Sequence, residues 1–180
     1  MEWDTLTSLE TCETYLKNGE KVSIRRLESE DMDLCVEFIH DCSDNTLSTR
    51  FNHYLSKYKF DYEKWFNEVL NYELVFIALI SQNGKKKIIG MVELIQGYAP
   101  NSCEYAIMVS DEMQNQSVGS VLTEYALLKV QNRQLGMIYA LTDMGNKSMI
   151  RIFRKFGFTL EYQYKHHAIY AEKRFYVLSG

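Results

Sequence analysis

The stretch CEYAIMVSDEMQNQSVGSVLTEYALLKV, Cys103 to Val130, decides the fold, because its apolar residues change spacing within a few positions. EYAIMV alternates as a half-buried strand does, and the residues from about Val118 to Gln134 follow the helical period. The turn between them, QNQSVGS, holds only small, amide or apolar side chains and one glycine, Gly119. The first amides of a helix lack internal partners and carry partial positive charge. This turn therefore predicts a site for a phosphate.

Strand and helix patterns continue on both sides of this turn. KVSIRRL predicts a strand, ESEDMDLCVEFIHDC and DYEKWFNEVLNY predict helices, and LVFIALI and KIIGMVELI predict a hairpin through Asn83 and Gly84. MIYALTD, the helix NKSMIRIFRKF ending at Gly157, and two closing strands follow. Residues 42–60 carry no clear pattern. The order predicts a mixed α/β domain of α+β type over residues 21–180, preceded by a helical leader over residues 1–20 with Leu16 on its apolar side.

Composition excludes several classes of protein. The chain of 180 residues is 46% apolar and 24% charged, which excludes wholesale disorder, and its formal charge of −4 argues against a nucleic-acid surface. The four cysteines lack metal-ligand spacing, so we expect reduced thiols and no metal. The N-terminus has neither a basic start nor a long apolar run, so we expect a cytoplasmic protein without a membrane anchor.

The turn resembles the acyl-CoA-binding motif of the GNAT acetyltransferase superfamily, which reads Gln or Arg, two residues, Gly, one residue, then Gly or Ala. Gln114 and Gly119 match this motif, whereas Ser117 replaces the central glycine. Asn146, Gly157 and Phe158 match a later segment of the family, and LSTRF, residues 47–51, is similar to a feature of the subgroup resembling bacterial protein-lysine acetyltransferases. The resemblance implies a GNAT-like central mixed, mostly antiparallel sheet flanked by helices.

The resemblance also implies a reaction and its residues. The chain is expected to transfer an acetyl group from acetyl-CoA to a primary amine, a small molecule or a protein lysine, by direct attack in a ternary complex. Glu104 is the expected general base, and the backbone N–H of Val109 the expected donor to the acyl oxygen. The residues expected to bind acetyl-CoA are Val109, Gln114, Asn115, Gln116, Ser117, Val118, Gly119, Ser120 and Asn146.

Several alternatives stay open at this stage. Glu93 is the reserve base, unless it is an outward strand residue, and Ser117 is expected to displace or shield one amide of the phosphate turn. The family's tyrosine proton donor corresponds to Phe153, whose spacing indicates core, so either the weakly basic thiolate leaves unaided or another donor, Ser148 or Tyr139, serves. The basic face of the last helix either contacts the nucleotide 3′-phosphate or is solvated.

The function also has alternatives. One is a non-catalytic acyl-CoA sensor or interaction module, and another is a phosphate site for a different nucleotide. The acceptor amine is not identified by any motif, and a homodimer is one of the oligomeric states that the sequence allows.

Overall fold

The computed structural model describes residues 11–51 and 60–176. In that part of the chain eight strands alternate with five α-helices. In chain order they are β1 (Cys12–Tyr15), β2 (Lys21–Arg26), α1 (Met32–Asp41), α2 (Asp44–Phe51), α3 (Tyr62–Tyr72), β3 (Glu73–Gln82), β4 (Lys85–Gln96), β5 (Ser102–Val109), α4 (Val118–Asn132), β6 (Met137–Asp143), α5 (Lys147–Lys155), β7 (Thr159–Gln163) and β8 (Ala168–Arg174).

All eight strands form a single sheet in the order β1-β2-β3-β4-β5-β6-β8-β7. Every neighbouring pair is antiparallel except β5 and β6, which run parallel. The expected mixed, mostly antiparallel sheet flanked by helices is therefore confirmed. The one parallel pair follows from α4, because a helical crossover returns the chain to the same end of the sheet.

The local signals of the sequence explain where elements begin and end. Asn83 and Gly84 both have positive φ, as the tight turn between β3 and β4 requires. Gly157 has φ +71° and follows α5 in the left-handed conformation predicted for it. Asn146 caps the first turn of α5, since its side-chain oxygen accepts from the Met149 N–H at 3.1 Å.

The sheet separates two apolar cores. One core packs α4 and α5, through residues such as Val118 and Phe153, against the face of the sheet that carries Tyr105. The other packs α1 and α3 against the opposite face, and includes Phe38, Ile77 and Met108. Successive residues of a strand point to opposite faces, so β5 contributes to both cores.

Two predictions about the N-terminal half need correction. The helix predicted over residues 1–20 falls outside the described residues up to position 10, but Cys12–Tyr15 form strand β1 and pair with Lys21–Ile24, so that part is wrong. Leu16, assigned to the apolar side of that helix, is buried at the end of the hairpin instead. Within residues 42–60, which carried no pattern, the structure has helix α2. No helix among the described residues is long and apolar enough to cross a membrane.

Candidate active site

A cleft opens where β5 and β6 separate. Their parallel pairing joins Ser102–Glu104 to Met137–Tyr139 and goes no further along either strand. Beyond this point the two strands form walls of a cleft of about 1040 Å³, which α2, the turn before α4, and α5 complete. The cleft therefore crosses the sheet and is reached by side chains from both faces.

The hydrogen-bond pattern of β5 determines which backbone groups face this cleft. Ser110 N–H donates to the Ile89 carbonyl at 3.1 Å and Gly97 N–H donates to the Ser102 carbonyl at 3.0 Å, so even-numbered residues of β5 bond to β4. In a sheet the backbone groups of alternate residues point to opposite neighbours. The N–H of Val109, expected to polarise the acyl oxygen, therefore points toward the cleft.

The turn before α4 lines the cleft through Asn115, Ser117, Gly119 and Ser120, while the Gln116 N–H donates to the Met113 carbonyl at 3.4 Å. Asn115 and Ser117 are both left-handed, with φ +62° and +74°. Such residues alternating with ordinary ones turn successive N–H groups toward one side, which makes a concave anion site. Ser117 is the N-cap of α4, and within the described residues its hydroxyl makes no capping bond to the first turn. The amides there are thus left available for a ligand.

The polar side chains at the start of the turn hold it in place. Gln114 Nε2 donates to the Val109 carbonyl at 3.3 Å and to Thr46 Oγ1 at 3.1 Å, which joins the turn to both β5 and α2. Asp111 accepts from the Ser43 N–H at 2.7 Å and from Thr46 Oγ1 at 3.1 Å. Burial alone would raise the pKa of Asp111, but these hydrogen bonds outweigh it and lower that pKa.

Gly119 lines the cleft and also allows two helices to approach closely. A Cβ at this position would lie 2.9 Å from Ile152 Cδ1 of α5. The glycine therefore serves α4–α5 packing whether or not a ligand is bound. The residues around Gly119 have different environments. Asn115, Ser117 and Ser120 line the cleft, whereas the side chain of Val118 is 1% exposed and lies in the core. The carbonyl of Gln116 accepts from the Lys17 N–H at 3.5 Å.

One face of α5 forms a basic wall of the cleft. Lys147, Arg151 and Lys155 are spaced four residues apart, so they lie above one another on the helix, and all three line the cleft. Arg154 points elsewhere and donates to Tyr162 Oη at 3.1 Å. Asn146 also lines the cleft, but its amide donates to Thr142 Oγ1 at 3.0 Å while its oxygen caps the helix. The geometry gives Asn146 a positioning role.

The two carboxylates considered as bases have different surroundings. Glu104 is half-buried, lines the cleft and is the last residue of β5 paired with β6. Glu93 is 2% exposed, and its carboxylate is paired with the Arg50 guanidinium, whose Nε donates to Oε1 at 3.2 Å. Glu93 is therefore not an outward strand residue. Because the Glu93 carboxylate is already paired with Arg50 in the interior, Glu104 is the better placed of these two carboxylates to contact a ligand in the cleft.

On the face of the sheet that carries Glu104, the neighbouring strands β6 and β8 and the loop residue Tyr98 present aromatic and acidic side chains. The ring centroid of Tyr139 is 4.9 Å from that of Tyr98 and 5.9 Å from that of Tyr170. The Tyr98 and Tyr170 hydroxyls are 3.0 Å apart, and Tyr170 donates to a Glu172 oxygen at 3.3 Å. Burial, then the neighbouring Tyr98, raises the pKa of Tyr170. The Tyr170 phenol is consequently protonated and neutral at pH 7.

The residues considered as proton donors to the leaving thiolate lie in different parts of the structure. Phe153 is fully buried against Tyr105 and Phe158, as its helical spacing predicted. Tyr139 lies on the opposite face of the sheet from Phe153, whereas Ser148 lines the cleft on the same side.

Burial raises the pKa of Cys103 to about 12, so this thiol is not ionised at neutral pH. A cysteine nucleophile has no place in this cleft.

Sequence reasoning missed several residues of the site. Asn45, Thr46, Thr49 and Arg50 line the cleft from α2, although no hydrophobic pattern marked that helix. The one available signal was LSTRF, whose arginine is Arg50. Lys17 also lines the cleft from the β1–β2 loop, and no motif distinguishes this lysine from the others.

Comparison with known proteins agrees with this architecture. The family model described as "Acetyltransferase (GNAT) family" matches residues 37–158. A curated acetyltransferase of Pseudomonas aeruginosa is 22% identical over 147 residues, which cover 79% of this chain and 77% of that protein.

Two solved structures share the fold. The GNAT domain of PAT from S. lividans is 21% identical with a TM-score of 0.76, over 92% of this chain and 97% of that one. Spermidine N-acetyltransferase from Vibrio cholerae, in complex with CoA and spermine, is 22% identical with a TM-score of 0.67, over 85% and 95%. The strand separation, the phosphate turn and the family model lead to one conclusion: the chain belongs to the acetyltransferase (GNAT) family and is an N-acetyltransferase.

Proposed function

We propose that this protein transfers an acetyl group from acetyl-CoA to a primary amine that is positively charged in solution, by direct attack within a ternary complex. The observation that carries the proposal is the cleft across the sheet, with amides and cations at one side and Glu104 at the other. Acetyl-CoA supplies the activated acyl group as a thioester. The chain supplies binding, orientation and proton transfer.

The residues on the cofactor side fit a coenzyme A nucleotide. The amides of the first turn of α4 carry no side-chain cap, and the left-handed Asn115 and Ser117 turn them toward the cleft. Such a concave set of amides binds a diphosphate without needing an arginine or lysine of its own. The basic wall of α5, with Lys147, Arg151 and Lys155, is placed for the 3′-phosphate.

Glu104 solves the protonation problem of the acceptor. An alkylammonium with a pKa of about 10.4 is the free amine only about once in 2,500 at pH 7, a cost of about 4.6 kcal/mol. A base within one hydrogen bond, or one water, of the nitrogen removes that proton and contributes typically about a hundred- to ten-thousandfold in rate. Glu104 is the carboxylate at the narrow end of the cleft, where β5 and β6 part.

The N–H of Val109 is the proposed donor to the acyl oxygen. It points toward the cleft, and the Val109 carbonyl is held by Gln114 at 3.3 Å. A fixed donor aimed at developing negative charge contributes about 3 to 4 kcal/mol to lowering a barrier. The leaving thiolate is weakly basic, so a buried Phe153 at the position of the family's tyrosine is compatible with turnover.

The acceptor side favours a cation. Strand alternation places Glu104, Tyr139 and Glu172 on one face, where each is paired with its neighbour across β5, β6 and β8. The same alternation brings two further acids, Asp143 and Glu161, and one base, Arg174, to this face, while Arg50, which reaches it from α2, is paired with Glu93. Tyrosine rings and carboxylates together attract alkylammonium groups. This face therefore suits aliphatic amines and lysine side chains better than neutral acceptors.

Two measurements on the purified chain test the proposal. Calorimetry with coenzyme A should show binding, and an acetylation assay with acetyl-CoA should show turnover with aliphatic diamines or lysine peptides but not with neutral hydroxyl acceptors. Binding without turnover on any amine would instead support a non-catalytic acyl-CoA sensor, the alternative that Phe153 motivates. Absence of binding would remove both functions.

A further inference from the structure

The loop between β1 and β2 is attached to the phosphate turn. Leu16, 4% exposed, anchors this loop in the core that contains α4, and the Leu16 N–H donates to the Glu20 carbonyl at 2.9 Å. Gly19, with φ +85°, closes the loop by donating to the Leu16 carbonyl at 2.9 Å. The backbone of Lys17 is thus held in a short, closed loop directly beside the turn.

The side chain of Lys17 has a different environment from its neighbour in the hairpin. Lys21 Nζ is 2.8 Å from a Glu13 oxygen, an ion pair across the hairpin. Lys17 lines the cleft and, over residues 11–51 and 60–176, forms no such pair. An ammonium group without a carboxylate partner, next to a concave set of amides, adds positive charge where an anion is expected.

Ser117 makes the connection between the two segments. The Lys17 N–H donates to Ser117 Oγ at 3.1 Å, and Ser117 Oγ in turn donates to the Gln116 carbonyl. Ser117 keeps the left-handed conformation, φ +74°, which a glycine adopts freely and other residues adopt only with backbone strain. A glycine here would remove the strain and also the hydroxyl that Lys17 binds. Ser117, which replaces the glycine of the family's motif, therefore accepts a hydrogen bond from the Lys17 N–H through a hydroxyl that a glycine lacks.

We propose that Lys17 binds the diphosphate of the acyl-CoA together with the amides of the turn, and that Ser117 is the positioning residue that holds Lys17 there. This rests on the proposed function, since it concerns the same nucleotide. Ser117 thus does not shield the turn: its Oγ is bonded to the Gln116 carbonyl and the Lys17 amide.

Calorimetric titration of the full chain with coenzyme A tests the role of Lys17. Lys17→Gln should raise the Kd about fivefold, the effect of one exposed charge pair, and the increase should shrink as salt is added. Lys21→Gln is the matched control, with the same charge change in the same hairpin, and should leave the Kd unchanged. With S-acetylpantetheine, which has no diphosphate, Lys17→Gln should leave the KM unchanged.

A double-mutant cycle tests the role of Ser117. Ser117→Gly should raise the Kd for coenzyme A in the wild-type background and have little further effect in Lys17→Gln, while the thermal midpoint stays the same or rises. An unchanged Kd in Lys17→Gln would overturn the proposal, as would tighter binding by Ser117→Gly or additive effects in the cycle. If the wild-type chain bound no coenzyme A, the proposed function would fail as well. Wild-type binding with an unchanged Lys17→Gln would overturn this inference alone.

Discussion

The two sides of the cleft are built from opposite charges and different kinds of group. On the cofactor side the groups are backbone amides of the phosphate turn and the lysine and arginine wall of α5. On the proposed acceptor side they are the Glu104 carboxylate, which lines the cleft, and, beyond it on the same face of the sheet, the rings of Tyr98, Tyr139 and Tyr170 and the Glu172 carboxylate, which lie outside the cleft. Under the proposed function, a polyanion and a cation would therefore enter from different sides and meet at Glu104, where β5 and β6 part.

The two sides also differ in which parts of the chain position their functional groups. The amides proposed to bind the diphosphate lie within one short segment, the turn that joins β5 to α4 and the first residues of α4. The acceptor side is assembled from β5, β6 and β8, together with a loop residue, Tyr98, that reaches Tyr170 across 72 positions. In the proposed function the diphosphate amides consequently belong to one segment, to which α5 and Lys17 add positive charge from elsewhere in the chain, whereas the choice of acceptor is a property of the tertiary fold.

The largest expected effect is that of Glu104→Gln. The amide keeps the size of the side chain and loses the base, so kcat should fall about a hundred- to ten-thousandfold. The Kd for coenzyme A should stay the same, because Glu104 is not on the cofactor side. Steady-state acetylation and calorimetry measure the two quantities.

Glu161→Gln is the control for this change. Glu161 lies on the same face of the sheet but on β7, two strands beyond β6 and outside the cleft, so its replacement should leave kcat near that of the wild type, and any loss of attraction for the acceptor should appear in KM alone. A Glu104→Gln enzyme that kept its kcat would remove Glu104 from proton transfer. Glu93, being paired with Arg50, would not replace it as the base.

A second expected effect concerns stability rather than chemistry. Glu93→Gln leaves the Arg50 guanidinium, whose side chain is 16% exposed, without its counter-ion. Breaking a buried pair by removing one partner typically costs about 3 to 5 kcal/mol, and the glutamine amide, which can still accept a hydrogen bond, should reduce this to about 2 to 3 kcal/mol. Urea unfolding measures the loss.

The matched control replaces both partners with methionine. An apolar pair of similar volume should recover part of the lost stability, since neither charge is then left unpaired. If Glu93→Gln unfolded at the same urea concentration as the wild type, the pair would not be a structural support of α2. A kcat that fell as far as in Glu104→Gln, in the folded variant, would instead place Glu93 in the chemistry.

The sequence predicted one side of this cleft better than the other, for a physical reason. The turn with its glycine, α4 and α5 follow from local periodicity, whereas the role expected of Val109 came only from the family resemblance. Arg50 and Glu93 are 43 positions apart, and α2 has weak amphipathic character, so no local pattern indicated that this helix covers Glu93. Lys17 and Ser117 are 100 positions apart and meet only because β1 joins the sheet beside β2.

A smaller effect is expected on the cofactor side from the basic wall of α5. Arg151→Gln should raise the Kd for coenzyme A about fivefold, because one exposed cation facing a phosphate contributes up to about 1 kcal/mol. With 3′-dephospho-coenzyme A the same change should have no effect if Arg151 faces the 3′-phosphate. Titrations with both ligands separate this role from that of Lys17, which is expected to act on the diphosphate.

Arg154→Gln is the control on the same helix. Arg154 carries the same charge one position from Lys155, but it points toward Tyr162. Its replacement should change neither Kd. Equal losses in Arg151→Gln and Arg154→Gln would indicate a general effect of net charge, and the basic wall would then be a solvated surface.

The smallest expected effect is on stability, through the hydrogen bonds by which Asp111 joins the turn before α4 to Ser43 and to Thr46 of α2. Hydrogen bonds from Ser43 and Thr46 outweigh burial and hold the pKa of Asp111 below its ordinary value of 3.8. A carboxyl whose folded pKa is depressed stabilises the fold above its unfolded pKa, and this stabilisation is lost as pH falls through the folded pKa. Asp111→Asn should therefore lower the thermal midpoint at pH 7 but not well below pH 3.8. A difference between the two proteins that stayed constant down to strong acid would show that the contact works through packing of α2 rather than through the charge.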